Sequence, residues 1–299
     1  MIDVAGNHMV FNADCGAVDI PPDSVDCIVT SPPYWGLRDY GTPGEGGHEN
    51  TVDEYIDWLD SVGRWLWRSL ADDGIWWLNV GDRYDGELLN IPFRLVERLK
   101  TSGWIHRSTV IWHKLDCKPE NVTNRPVLDW EPVFMLTKKV SGYWYNQAGM
   151  GTPLAPATIK RCRHVLDSGE TFDPAKHKHQ DGIGDSGTKL LVRAAANILK
   201  KGYANGRAVW PIGKAQTSEG HFAVFPLELA RRCITASLRP DRQITVLDPF
   251  AGSGTVALVA QDMGQKSVSV ELNPAYAQSI VDKLTRMTNG EPLEKVRQR

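Results

Sequence analysis

Val25-Asp-Cys-Ile-Val29 runs without a break into Thr30-Ser-Pro-Pro-Tyr-Trp35. Four of the first five residues are apolar, which reads as a short strand buried on both faces, the kind found in parallel sheets covered by helices. The second run then falls at the carboxyl end of that strand, where open α/β sheets place their ligands. It sets a hydroxyl and a proline carbonyl beside an aromatic face, a combination suited to gripping an amino group on a flat ring. Outward from this point the pattern alternates. Residues 52–70 and 91–100 carry helical periodicity, and residues 75–80 and 109–112 read as strands, with a glycine-rich loop at 41–47. After residue 207 the alternation resumes as helix 227–237, strand 244–247, helix 255–263, strand 267–270 and helix 275–287. This order predicts an α/β fold, a mostly parallel Rossmann-like sheet with helices on both faces.

A second run, Asp248-Pro-Phe-Ala-Gly-Ser-Gly-Thr255, follows the 244–247 strand. Gly252 and Gly254 allow a sharp turn and a close ligand approach. A helix opening at Thr255 would aim free N–H groups at an anion. Glu271 closes the next strand, where an acid can accept from both hydroxyls of a ribose. Strand, glycine turn, helix, strand and acid is an order shared with dinucleotide-binding folds. The full Gly-x-Gly-x-x-Gly and the P-loop Gly-Lys-Ser/Thr are both missing, which places NAD and ATP behind other adenosine cofactors.

The 299 residues suffice for one substantial core carrying an insertion. A formal charge of −2 excludes a surface coated in positive charge, while leaving local basic clusters free to meet nucleic acid. Five cysteines with no Cys-x-x-Cys pair argue against a disulfide framework or a zinc ribbon and fit a reducing cytosol. No apolar stretch approaches membrane-spanning length, and the N-terminus lacks a secretion pattern. The alternation fades between residues 141 and 207. Ten Lys and Arg there oppose five Asp and Glu, a local excess of +5. The division expected is 1–140, a loop-rich insert at 141–207, and 208–299. Cys162 and His164 with His177 and His179 raise zinc, but the internal spacing is tighter than zinc pairs use. Arg38 and Lys114 are candidate phosphate contacts or ordinary surface charges.

Thr30 to Trp35 and Asp248 to Thr255 together resemble the signatures of amino-directed DNA methyltransferases. Their order, catalytic run first, resembles the permuted β class. Asp82, Gly103-Trp104, Ile111 to Lys114, 118–122, Arg125-Pro126 and Trp130-Glu131-Pro132 look like the connecting segments of that family, so the likeness spans nearly the whole chain outside the insert. The resemblance implies S-adenosyl-L-methionine as cofactor and double-stranded DNA as partner, with the insert as target-recognition element. It leaves a homodimer and a cognate restriction endonuclease open as further partners, and implies the cytoplasm of a bacterial or phage-infected cell.

Carried onto this sequence, the resemblance assigns catalysis to Ser31, Pro32, Pro33 and Tyr34. Ser31 Oγ and the Pro32 carbonyl accept the two amine hydrogens, the consecutive prolines hold these acceptors in extended backbone, and Tyr34 stacks on the flipped-out base. Cofactor binding falls to Asp14, Phe225, Pro226, Asp248, Phe250, Gly252, Ser253, Gly254, Thr255 and Glu271. In that assignment Asp14 accepts from the adenine amino group, and Asp248 holds the ammonium of the methionine part, directly or through water. Phe225-Pro226 packs on the methionine end. No covalent nucleophile is needed: Cys15 and Cys27 lack the Pro-Cys context of carbon-5 cytosine enzymes. Serine at position 31, in place of the aspartate common in adenine enzymes, points to the N4 amine of cytosine, with the N6 amine of adenine as alternative. A catalytically silent DNA-binding subunit and an RNA methyltransferase are the competing readings.

Overall fold

The structure, a computed structural model, describes residues 1–37, 41–117, 119–167, 185–213 and 225–297, with backbone alone at 185–190. It divides into two compact units, residues 1–146 with 208–299, and residues 147–207. The first unit runs six residues past the expected boundary at 141. Trp144 and Asn146 tie it down: the Trp144 amide donates to the Asp73 carbonyl at 2.8 Å, and the Asn146 amide to Ala236 at 2.8 Å.

The large unit is built on a nine-stranded sheet: β1 (Ile2–Val4), β2 (His8–Asn12), β3 (Val25–Thr30), β4 (Leu70–Asn79), β5 (Ile105–Lys114), β6 (Trp130–Thr137), β7 (Val209–Ile212), β8 (Thr245–Asp248) and β9 (Lys266–Glu271). Their order is β1-β2-β9-β8-β3-β4-β6-β5-β7. The five strands β2, β9, β8, β3 and β4 are mutually parallel. Strand β6 enters antiparallel between β4 and β5, and β7 pairs parallel with β5. The expected alternation is therefore present, with an antiparallel strand inside it.

Every residue of β3 is buried, because both faces of the sheet are covered. Strand alternation shows how. Trp76 and Leu78 of β4 join the cluster formed by Tyr55, Leu59 and Leu66 of helix α1 (Val52–Ser69) and Leu95 and Leu99 of α2 (Ile91–Thr101). Trp77, between them, points the other way and donates from Nε1 to Ser237 Oγ of a helix on the opposite face at 3.4 Å. Helix α1 starts where a reciprocal cap starts it. The Glu54 amide donates to Thr51 Oγ1 and the Thr51 amide to Glu54 Oε2, both at 3.2 Å.

The small unit was expected to be loop-rich, and its described part is mainly helical. It holds α3 (Pro156–Asp167) and α4 (Asp185–Lys201), with a two-stranded ribbon of 152–153 and 203–204. Proline opens α3, and Cys162 of α3 and Ala195 of α4 are the described residues that the two helices bury. Among the described residues the large unit holds four further helices: α5 (Leu227–Ser237), α6 (Thr255–Asp262), α7 (Pro274–Thr288) and α8 (Leu293–Arg297).

Strands β3 and β8 lie side by side with Val246 opposite Cys27 and Leu247 opposite Ile28. From β3 the chain goes on through α1 to β4 on one side, and from β8 through α6 to β9 on the other. This is the point where strand order reverses and the two outgoing loops part, which opens a crevice at the carboxyl edge.

Candidate active site

A cleft occupies that crevice, where open α/β sheets bind their ligands. Asp14, Ser31, Pro33, Phe250, Gly252 and Glu271 line it. The two runs, more than 200 residues apart in sequence, thus share one opening.

On the β8–β9 side the backbone is wound around the Glu271 carboxylate. Gly252 sits at φ +51° and donates its amide to Glu271 Oε2 at 2.7 Å, and the Asn273 amide donates to Oε1 at 2.8 Å. Gly254, at φ +85°, is the N-cap of α6, which has no side-chain cap, so its first amides are left for other partners. Asp248 is buried at 6% exposure and accepts from the Phe250 amide at 3.0 Å. Burial first, opposed by that hydrogen bond, and then the nearby Glu271 charge push its carboxyl up to about 7. Burial likewise raises Glu271, opposed by its two backbone donors.

Asp14 reaches the cleft because β2 is stitched to β9. Asn12 Nδ2 donates to the carbonyls of Glu271 and Leu272 at 3.0 and 2.8 Å, and the Ala13 amide to Glu271 at 3.1 Å. The Asp14 carboxylate accepts from the Gly16 amide at 2.8 Å and caps a short 3₁₀ turn. Ser253, Gly254 and Thr255 lie behind the cleft wall, where Lys283 Nζ donates to the Ser253 carbonyl at 3.1 Å. Pro226 is the N-cap of α5 and lines a separate depression with Pro211 and Ile212. Half-buried Phe225 is also absent from the cleft lining, and residues 221–224 lie outside the described residues.

On the β3 side Pro32 is buried, Pro33 accepts from Tyr55 Oη at 2.8 Å, and Ser31 is half-buried at the opening. Tyr34 lies over Gly81, where an added Cβ would fall 2.3 Å from its ring. Its hydroxyl donates to Glu131 Oε2 at 2.9 Å and accepts from Ser31 Oγ at 3.3 Å. Asn79 Nδ2 donates to the same Glu131 oxygen at 3.1 Å, and Lys114 Nζ pairs with the other. Burial and then the Glu131 charge raise the Tyr34 phenol well above its ordinary range, so it stays protonated.

The sequence reading gave no role to Trp58, Asn273, Glu131 or the 42–46 loop. Gly46 packs on the Trp58 ring with no room for a Cβ, and Trp58 meets Phe250 at 5.6 Å between ring centroids. Asn273-Pro274 is a legible helix start, and its side chain also donates to Thr42 Oγ1 at 3.2 Å. Glu131 had no local signal. Lys114 is an ion-pair partner within this network rather than a free surface charge. Arg38, His177 and His179 lie outside the described residues, and among the described residues there is no cluster able to hold a metal ion.

The crevice at a strand-order reversal, with a glycine turn and an acid on one side and the Ser31–Tyr34 run on the other, is the ligand-binding arrangement of a Rossmann-like α/β enzyme. The DNA methylase family of the N6/N4 type matches residues 25–282, and the chain belongs to it. The chain is 33% identical over 291 residues to the Type II methyltransferase M.SmaI of Serratia marcescens, covering 87% of this chain and 84% of that one. PvuII DNA methyltransferase (cytosine-N4-specific) shares the fold with a TM-score of 0.64 at 18% identity, covering 97% of this chain and 90% of that one. A DNA modification methylase of Thermus thermophilus, complexed with S-adenosyl-L-methionine, does so with a TM-score of 0.57 at 24% identity over 95% and 97% of the two chains. The chain is a DNA methyltransferase, and S-adenosyl-L-methionine is the methyl donor of its family. No helix among the described residues is long and apolar enough to cross a membrane.

The cleft fits that cofactor. A Cβ placed on Gly252 would meet nothing within 4 Å, so the turn is open on the ligand side. Asp248 offers a buried carboxylate that a cation would satisfy, and Glu271 retains lone pairs beyond the two in use.

Proposed function

We propose that this methyltransferase acts on the exocyclic N4 amine of cytosine in a base rotated out of duplex DNA. The observation that supports the reading is that Ser31, the first proposed amine acceptor, lines the same cleft as Gly252 and Glu271 of the cofactor half. Asp14 receives the adenine amino group, Glu271 the ribose hydroxyls and Asp248 the ammonium. The uncapped start of α6, behind the cleft wall, is the candidate partner of the carboxylate, with Phe250 against the adenine; Phe225 and Pro226 have no part in this reading because neither lines the cleft. The cofactor supplies an electrophilic methyl group on a sulfonium.

The chain's own task is to make a poor nucleophile reactive. The amine's lone pair is delocalised into the ring. Two acceptors set off the ring plane, Ser31 Oγ and the Pro32 carbonyl, draw its hydrogens away and free that pair toward the methyl group. Pro32-Pro33 holds these acceptors in place before the base arrives, which is where preorganised sites gain most of their rate. Tyr34 stacks on the base. A neutral serine at the first position supports cytosine over adenine.

The 147–207 unit is the proposed target reader. Its helix α3 exposes Lys160, Arg161 and Arg163, and α4 exposes Arg193 and Lys200, a footprint suited to phosphates. The Type II relatives support a role in DNA modification.

The test is mass spectrometry of nucleosides from unmodified duplex DNA incubated with the protein and labelled S-adenosyl-L-methionine. Label in N4-methylcytosine is expected, lowered about 10²- to 10³-fold in Ser31→Ala as one preorganised partner is removed. Label in N6-methyladenine would retain the mechanism and overturn the base. No label in DNA despite cofactor binding would favour RNA or a silent subunit.

A further inference from the structure

Ser31 can serve as an acceptor only if its own hydrogen points elsewhere. A serine hydroxyl is donor and acceptor at once, and an undirected one spends part of its time presenting hydrogen to the amine. The network behind it removes that freedom. Glu131 is the fixed end: a carboxylate with 13% of its side chain exposed, held on one oxygen by Lys114 Nζ and on the other by Asn79 Nδ2. Ionised, it accepts and does not donate.

Tyr34 has one hydroxyl hydrogen and two acceptors in reach, Glu131 Oε2 at 2.9 Å and Asn79 Oδ1 at 3.2 Å. The nearer and charged one takes it. The Tyr34 oxygen is then left to accept, and Ser31 Oγ, at 3.3 Å, is the group that donates. Each link follows from the one before. With its hydrogen committed to Tyr34, Ser31 turns lone pairs toward the cleft.

We infer that Glu131 is a positioning residue that sets the polarity of the Tyr34–Ser31 hydroxyl chain, so that Ser31 meets the incoming base as an acceptor and selects an amino group over a carbonyl oxygen. This rests on the reading of Ser31 as acceptor of the target amine. Glu131 itself touches neither substrate nor cofactor in this account. Tyr34 gains a second task besides stacking, one that its ring alone does not perform.

The experiment compares single-turnover methyl transfer to saturating duplex DNA by wild type, Glu131→Gln, Tyr34→Phe and the double variant, with cofactor affinity and thermal unfolding measured on each. Gln keeps the shape of Glu131 but can donate from its amide, which lets the chain reverse. Phe keeps the stacking ring and deletes the relay oxygen. Each single variant is expected to lose about ten- to a hundredfold in rate, the equivalent of a hydrogen bond to a charged group. Cofactor affinity should stay within about twofold, since the reacting groups are positioned and the cofactor is not. The double variant should be no slower than the worse single one, because both changes break one chain.

A Tyr34→Phe protein with the wild-type rate, or a double variant whose losses multiply, would overturn the inference while leaving amine methylation standing. Wild type that labels no amino nitrogen would instead overturn the reading beneath it. If Glu131→Gln loses its cooperative unfolding transition, Tyr34→Phe decides alone.

Discussion

Asp248→Asn is expected to flatten the pH dependence of cofactor affinity that wild type shows. The wild-type carboxyl is pushed up to about 7 by burial, against a single backbone donor from Phe250. A cation can use this group only when it is ionised. Below pH 7 binding must therefore first remove a proton, and affinity falls roughly tenfold for each pH unit. Calorimetric titration with S-adenosyl-L-methionine between pH 5.5 and 7.5 keeps an α-amino group, with its pKa of about 7.7–8.0, mostly protonated. Wild type should bind about tenfold more weakly at pH 6 than the plateau value. Asp248→Asn should bind about ten- to a hundredfold more weakly than wild type at pH 7.5, from the lost charged hydrogen bond. Burial raises Glu271 as well, so a remaining slope in the variant belongs to Glu271, and the difference between the two proteins isolates Asp248.

The same shift has a stability counterpart with a definite sign. The unfolded carboxyl releases its proton near pH 4 and the folded one near 7, so between these values the folded state holds more protons than the unfolded. Stability without cofactor should then fall as pH rises from 4 to 7, by up to roughly 4 kcal/mol for a shift from 3.8 to about 7. Asp248→Asn should remove this loss, and cofactor should reduce it in wild type. Identical pH slopes for wild type and Asp248→Asn, in both affinity and stability, would refute the argument that a buried, under-partnered carboxylate waits here for a cation.

The two turn glycines should respond differently to alanine in denaturant unfolding. Gly254→Ala puts a Cβ 2.8 Å from Ile280 Cγ1 at φ +85° and should cost about 2–3 kcal/mol, whereas Gly252→Ala meets open space at φ +51° and should cost about 1 kcal/mol while weakening cofactor binding. Asp26 lies at the opposite edge of the same strands, 6% exposed, paired with both guanidinium nitrogens of Arg242 and accepting from the Thr245 amide at 2.9 Å. Asp26→Ala leaves the Thr245 amide without its acceptor while the half-exposed Arg242 turns to water, and should cost about 1–3 kcal/mol with cofactor affinity of the folded protein unchanged. Loss of cofactor affinity in step with stability would count against assigning the clamp a purely structural role.

What was legible in the chain was what its physics writes locally. A strand buried on both faces is mostly apolar, so residues 25–29 declared themselves despite Asp26, and a turn needing φ > 0 favours glycine, so 248–255 did too. What was not legible depends on partners brought from a distance. Strand β6 pairs antiparallel between two strands that precede it, and nothing in Trp130-Glu131-Pro132 says that its acid will stand behind a tyrosine 97 residues away. The helices of the 147–207 unit were hidden for another reason: in α3 the buried stripe hangs on Cys162 amid Lys160, Arg161 and Arg163, and α4, although mostly apolar over 190–199, lies in a segment whose net excess of +5 reads as solvated surface. Ser31 shows how the two kinds of information combine. Its place after β3 is readable from sequence, but a hydroxyl has no fixed direction. Whether it donates or accepts is decided by Glu131, Lys114 and Asn79, and those three converge only once the sheet has formed.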